Sequence, residues 1–125
     1  MSQPGEPRES FAGQWAACWN RRDVEAVLRH FHEDVVFTSP TALAVVGVAT
    51  LHGKKALRDY WYAAMARIGS IRFTVDRVAW DAVSRELAII YVAEFDGKAK
   101  RVSENLVFDD SGLVVAAEVF HGVPA

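Results

Sequence analysis

The chain has 125 residues, which suits one compact domain and not two. Half of it is apolar (51%) and 11% is aromatic, so it can bury a real core, while a formal charge of −2 gives no electrostatic case for nucleic-acid binding. No apolar run approaches the roughly 18 residues of a membrane span, and the single Cys18 excludes an intrachain disulfide.

The opening residues, MSQPGEPRES, are polar and lack the apolar stretch of a signal peptide. Residues 1–8 read as a flexible N-terminal tail, residues 9–125 as a single domain, and a cytoplasmic location is the default expectation. Over 9–21, Phe11, Trp15, Cys18 and Trp19 give a helix with a broad apolar face. Asp23 can cap a second short helix, whose Val24, Val27, Leu28 and Phe31 follow the i, i+3, i+4, i+7 pattern. Residues 34–38 are β-branched and aromatic, hence strand, and Pro40 ends it. A loop rich in Gly and small residues leads to His52-Gly53 and a helix over 54–68, with Leu57, Tyr60, Trp61, Ala64, Met65 and Ile68 as its buried stripe. Gly69 suits the position after that helix. The period then switches to two, with strands expected at 71–80, 86–95, 99–108 and 113–121. Asp96-Gly97 is a tight-hairpin signal, and Asp109 to Gly112 reads as a four-residue hairpin loop. The order is α-α-β-α-β-β-β-β, which argues an α+β fold with helices on one face of an antiparallel sheet.

The late strands carry apolar residues on both faces. In 86–95, Leu87, Ile89, Tyr91 and Ala93 share one face, and Ala88, Ile90 and Val92 the other. A sheet with one wet face should alternate more cleanly. The helices can cover one face, so a second copy of the chain is the expected cover for the outer one, giving a homodimer.

Four local marks recur in this order: W-x7-D from Trp15 to Asp23, DVVF-x-x-P from Asp34 to Pro40, His52-Gly53 opening a helix, and E-x-L-x-F-D-x-x-G from Glu104 to Gly112. With the element order, they resemble the nuclear transport factor 2-like superfamily, which includes ketosteroid isomerases and SnoaL-like polyketide cyclases. The resemblance spans roughly residues 9–121. It implies a cone-shaped curved sheet wrapped on N-terminal helices, an apolar pocket and a dimer. Ketosteroid isomerase uses an Asp before the Pro as general base, with a Tyr and a protonated carboxylic acid as hydrogen-bond donors. Carried over, the base position falls on Ser39, the Tyr position on Trp15 and the acid position on Glu104. Serine lacks basicity and the indole N–H of tryptophan only donates. The resemblance therefore implies the pocket and one acid, and not that isomerisation mechanism.

Among the residues themselves, Glu104 shares strand parity with Val102, Leu106 and Phe108, all apolar. Pairing Phe108 with Leu113 across a four-residue loop puts Ala117 opposite Glu104. A carboxyl group there is desolvated and poised near neutral pH, or else pairs internally with Trp15 or a tyrosine hydroxyl. His121 has the parity of Ala117 and lies roughly 13 Å from the rung of Glu104. It addresses the far end of a ligand or sits at the pocket rim. His52 faces the cavity or hydrogen-bonds its loop, and Ser39 contacts a ligand or caps the turn at Pro40. Trp15, Tyr60, Trp61 and Tyr91 line the cavity or simply fill the core.

His30-x-His32-Glu33-Asp34 has the residue types of a metal site, but residues two apart do not share a helix face, and the reading is a solvated turn. Lys54-Lys55 reads as a helix start and Lys98 to Arg101 as an exposed hairpin. There is no G-x-G-x-x-G, P-loop or G-x-S-x-G. Two functions are expected. One is a cofactor-free, metal-free enzyme doing acid–base chemistry on a small hydrophobic molecule, with Glu104 as acid or base and His121 or His52 as second proton site. The other is a binding protein that holds the same ligand without turnover.

Overall fold

The computed structural model describes residues 6–125, so the first five residues of the expected tail lie outside the described residues. The chain is already helical at Glu6: α1 spans Glu6–Asn20, and Pro7 falls in its first turn, where the N–H has no helical partner to lose. Helix α2 (Val24–Leu28) is capped by Asp23, whose carboxylate accepts from the Ala26 N–H at 3.1 Å. Strand β1 covers Phe31–Thr38, longer than expected. Phe31 belongs to it and not to the preceding helix.

The segment after β1 holds two elements that the sequence pattern does not reveal. Helix α3 (Pro40–Val46) has Pro40 in its first turn and ends at Gly47, whose φ of 84° only glycine adopts without strain. Strand β2 (Thr50–His52) then pairs antiparallel with β1. Helix α4 (Lys54–Arg67) follows. Strands β3 (Ile71–Asp81), β4 (Glu86–Phe95), β5 (Lys98–Phe108) and β6 (Val114–Pro124) complete a curved, unclosed six-stranded sheet. Its order is β2-β1-β6-β5-β4-β3. The pairing of β1 with β6 is parallel, so the sheet is mixed at that one seam and antiparallel elsewhere.

The β4–β5 hairpin closes as its sequence predicts. Phe95 pairs with Lys98, and Asp96 and Gly97 both take positive φ, as a tight turn of that twist demands. Asp96 also accepts from the N–H groups of Gly69 and Ser70, tying this turn to the end of α4. The β5–β6 connection corrects the expected register. Phe108 pairs with Val114 across five residues, and Val115 is an extra residue before Ala116 meets Val107. The carboxylate of Asp109 accepts from the N–H groups of Ser111 and Leu113 and holds the longer loop. Glu104 therefore faces Val119, and Ala117 faces Leu106.

One core lies between the helices and the inner sheet face. Trp15, Leu57, Leu87, Ile89 and Leu106 are buried at its centre. Asn20 clamps α1 to β3, accepting from the Phe73 N–H at 2.7 Å and donating to its carbonyl at 3.0 Å. Two residues after Asn20, Arg22 donates to the carbonyls of Met65 and Ile68 and satisfies the end of α4. These ties fix α4 over the sheet and leave space beneath its C-terminal half.

Candidate functional site

That space is a cavity of about 340 Å³ between α4, α3 and the inner face of β3 to β6. Its volume is in the range of small-molecule sites, roughly 300–1,000 Å³. Strand parity aims Glu104 into it, with Val102 one step nearer the mouth and Val119 across the rung. From β4, Tyr91 and Ala93 reach the same space, and α4 contributes Tyr60, Trp61 and Ala64. The walls are aromatic and aliphatic because each of these elements turns its apolar stripe inward.

Glu104 is buried, only 6% exposed. Its hydrogen bond is a long one from the Tyr91 hydroxyl to Oε1, at 3.4 Å. Burial favours the neutral acid and pushes its pKa up to about 7, against the smaller opposing effect of Tyr91. The hydroxyl of Tyr60 is pushed to about 12, first by burial, with the side chains of Ser39 and Thr41 acting the other way. Burial and the neighbouring Glu104 push Tyr91 well above its ordinary value. Both phenols are therefore neutral donors at physiological pH.

Ser39 is the N-cap of α3: its hydroxyl oxygen accepts from the Thr41 N–H at 3.2 Å. It is buried and also lines the cavity. His121 stands at the exposed mouth, its Nδ1 3.2 Å from Nζ of Lys100. Burial first, and the charge of Lys100 second, lower its pKa, so the imidazole is neutral and accepts from the ammonium. Because of the register change, His121 is two residues past the partner of Glu104, a separation of roughly 7 Å along the strand in place of 13 Å.

Glu104, Ser39, Tyr60, Trp61, Tyr91 and His121 thus come together around one cavity. Three other expected site residues do not. His52 lies exposed on β2, paired with Val36 on the outer face, because the added strand turns it away from the cavity. Trp15 is core: it stacks on Phe73, meets Tyr91 edge-on at 5.0 Å and is 1% exposed. Its indole N–H has no hydrogen-bond partner among the described residues. Ala117 is displaced from Glu104 by the bulge and does not line the cavity. The His30–Asp34 segment is not the expected turn: Phe31 to Asp34 belong to β1, with His32 Nδ1 accepting from the Asp34 N–H, Glu33 facing Lys54 and His30 packed on Phe11. Among the described residues, no group of three or more His, Cys, Asp or Glu is placed to hold a metal ion, and no helix is long and apolar enough to cross a membrane.

Two basic residues that the sequence pattern does not point to line the cavity. Lys100 was expected on an exposed hairpin, yet it lines the cavity, as does Arg67 in the last turn of α4. For Lys100 the signal was parity, since it shares a face with Val102 and Glu104.

The fold has counterparts among known proteins. The SnoaL-like domain matches residues 12–119. The chain belongs to this family, within the nuclear transport factor 2-like superfamily. A SnoaL-like protein of unknown function from Burkholderia thailandensis superposes with a TM-score of 0.81 at 24% identity, over 91% of this chain and 92% of that one. A steroid delta-isomerase from Pseudomonas aeruginosa gives 0.69 at 23% identity, over 97% and 84%. TerC, co-crystallised with polyporic acid, gives 0.72 at 17% identity, over 86% and 85%. At these identities the likeness establishes a shared fold. No curated protein matches the chain significantly in sequence.

Proposed function

We propose that the chain is a cofactor-free acid–base catalyst for a small hydrophobic substrate, of isomerase, cyclase, dehydratase or hydrolase type, with Glu104 exchanging the proton. The observation that carries this reading is a buried carboxyl group in an apolar cavity wall, held by one long hydrogen bond and poised at about pH 7. Such a group gives or takes a proton at neutral pH with little driving force lost. The neutral hydroxyl of Tyr60 is a donor for a ligand oxygen, while that of Tyr91 donates to Glu104 itself, and His121 serves as the second proton site. A base at the Ser39 position is missing, and Trp15 is core. The shared fold with a steroid delta-isomerase therefore does not extend to steroid isomerisation by an Asp/Tyr/Asp mechanism.

A second reading is a non-catalytic binding protein. The engagement of the Ser39 hydroxyl as a helix cap favours it, because that wall then offers no reactive group. The two readings separate in one experiment. Thermal shift against steroid-, terpenoid- and polyketide-like compounds finds a ligand, and turnover is then compared between wild type and Glu104→Gln. Product from the wild type alone supports catalysis. Equal binding by both proteins with no product from either leaves the binding protein.

The same reading includes a homodimer through the outer sheet face. Ala88, Ile90 and Val92 on β4 lie half-buried there, and Phe120, half exposed, extends the patch across the Ser103 rung. The helices pack on the opposite face, so a second copy is the cover that matches an apolar sheet surface.

A further inference from the structure

The charges around the cavity are segregated. Its acid, Glu104, is buried in the wall, and its basic lining groups are Arg67, from the last turn of α4, and the pair Lys100 and His121, from β5 and β6. Among the described residues, neither Arg67 nor Lys100 makes an ion pair. Arg67 donates only a long hydrogen bond to the Val45 carbonyl, at 3.4 Å, and the ammonium of Lys100 rests on His121. Six other basic side chains, Lys54, Lys55, Arg58, Arg77, Arg85 and Arg101, do find carboxylates; of the cations that do not, Arg67 and Lys100 are the two that line the cavity. Two cations beside an apolar cavity with no anion to balance them form a site for a ligand anion.

We infer that the ligand of this cavity is an amphiphilic anion: an apolar body seated between α4 and the sheet, with a carboxylate or comparable acidic group at the mouth against Lys100 and Arg67. The inference rests on the proposed use of the cavity as a ligand site. It orients the ligand. With its anion at Lys100, the apolar body runs inward along β5 toward Glu104, four residues and roughly 13 Å away. The far end of the body, and any carbonyl or hydroxyl on it, then lies among Glu104, Tyr60 and Tyr91. The neutral His121 completes the mouth. Its Nδ1 accepts from Lys100, so its Nε2–H is left to donate to the anion. The arrangement also selects against a reversed ligand, whose anion would meet the carboxyl of Glu104 in an apolar wall.

A pair of fluorescent probes tests this. Anilinonaphthalene sulfonate and N-phenylnaphthylamine share one apolar body and differ by the sulfonate. Both are titrated into wild type, into Lys100→Met/Arg67→Met, and into Ala64→Trp, which fills the cavity from α4; circular dichroism checks each fold. The inference expects the sulfonate to bind about tenfold tighter than the neutral probe, a difference of about 1.4 kcal/mol. This preference disappears in the double variant, while the neutral probe keeps its affinity there and loses it in Ala64→Trp. Equal affinity of wild type for the two probes, or a preference that survives the double substitution, overturns the anion inference and leaves the cavity reading intact. Binding of both probes undiminished by Ala64→Trp places them outside the cavity and overturns both.

Discussion

The hydroxyl of Tyr91 reaches Oε1 of Glu104 at 3.4 Å, and among the described residues this long bond is the only one to the buried carboxyl group. Tyr91 pairs with Val102 and so sits diagonally from Glu104 across the β4–β5 ladder, where a long aromatic side chain can reach. The relationship sets the acidity of the site. Burial raises the pKa to about 7, and Tyr91 restrains it.

If Glu104 exchanges the proton, kcat/KM has a limb centred at about pH 7 that rises with pH for a base and falls for an acid. Tyr91→Phe removes the donor that favours the carboxylate and moves this limb to higher pH. Glu104→Gln abolishes it. A pH profile that is flat through neutrality, or unmoved by Tyr91→Phe, contradicts the assignment.

The same shift makes stability depend on pH. Glu104 has a folded pKa of about 7 against an ordinary value of 4.5. Between these values the folded chain holds more protons than the unfolded one, so this group's contribution falls as pH rises and levels off above 7. The cost of ionising it in the fold is up to about 3 kcal/mol. His30 and His121, whose pKa values burial lowers, act in the opposite direction in both proteins. The difference between wild type and Glu104→Gln isolates the carboxyl group. Urea denaturation at about pH 5 and about pH 8 should show the glutamine variant gaining on wild type by that amount at the higher pH. An unchanged difference would place Glu104 near its ordinary pKa.

Ser39 caps α3, and its loss is a stability effect. Ser39→Ala should cost about 1 kcal/mol, as other N-cap removals do, with the pH limb of Glu104 unmoved. A loss of turnover larger than the loss of folded protein would give the hydroxyl a chemical part.

Trp15 is packing. Trp15→Ala should cost about 3–5 kcal/mol through the cavity it leaves. Trp15→Phe keeps an aromatic ring and removes a buried N–H that has no partner among the described residues, so it should lie within about 1 kcal/mol of wild type. Neither change should lower probe affinity in the molecules that fold, and a selective loss of binding in Trp15→Phe would return the indole to the site.

Phe120→Glu places a charge on the outer apolar patch. Light scattering should find dimers for wild type and monomers for the variant at micromolar concentration. Wild-type monomers would leave the outer face uncovered and the dimer refuted.

How much of this was legible in the sequence varies by element. The stripe of Leu57, Tyr60 and Trp61 and the Asp96-Gly97 hairpin were plain, because helix periodicity and a two-residue turn are local properties. Helix α3 was not. Its seven residues, Pro40 to Val46, are small and apolar, without the polar alternation that marks a helix face, and only Ser39-Pro40 at its start and Gly47 at its end punctuate it. Strand β2 is three residues long and is recognisable only through its pairing with β1, so His52 was assigned to a loop near the cavity when the ladder turns it outward.

For the site, the sequence by itself determined which face Glu104 takes, because alternation along β5 is fixed by the backbone, and it determined that this face is apolar. It carried enough family pattern to give the fold. Only the tertiary structure decided what stands beside Glu104. One bulged residue and one extra loop residue in β5–β6 exchange Ala117 for Val119 and bring His121 closer, and local pattern does not encode such a shift because a two-residue slip preserves parity. The tertiary structure also decided that Trp15 packs in the core while Lys100 and Arg67 reach the cavity mouth. Residues distant in sequence meet there through the docking of α4 on the sheet, which no local spacing records.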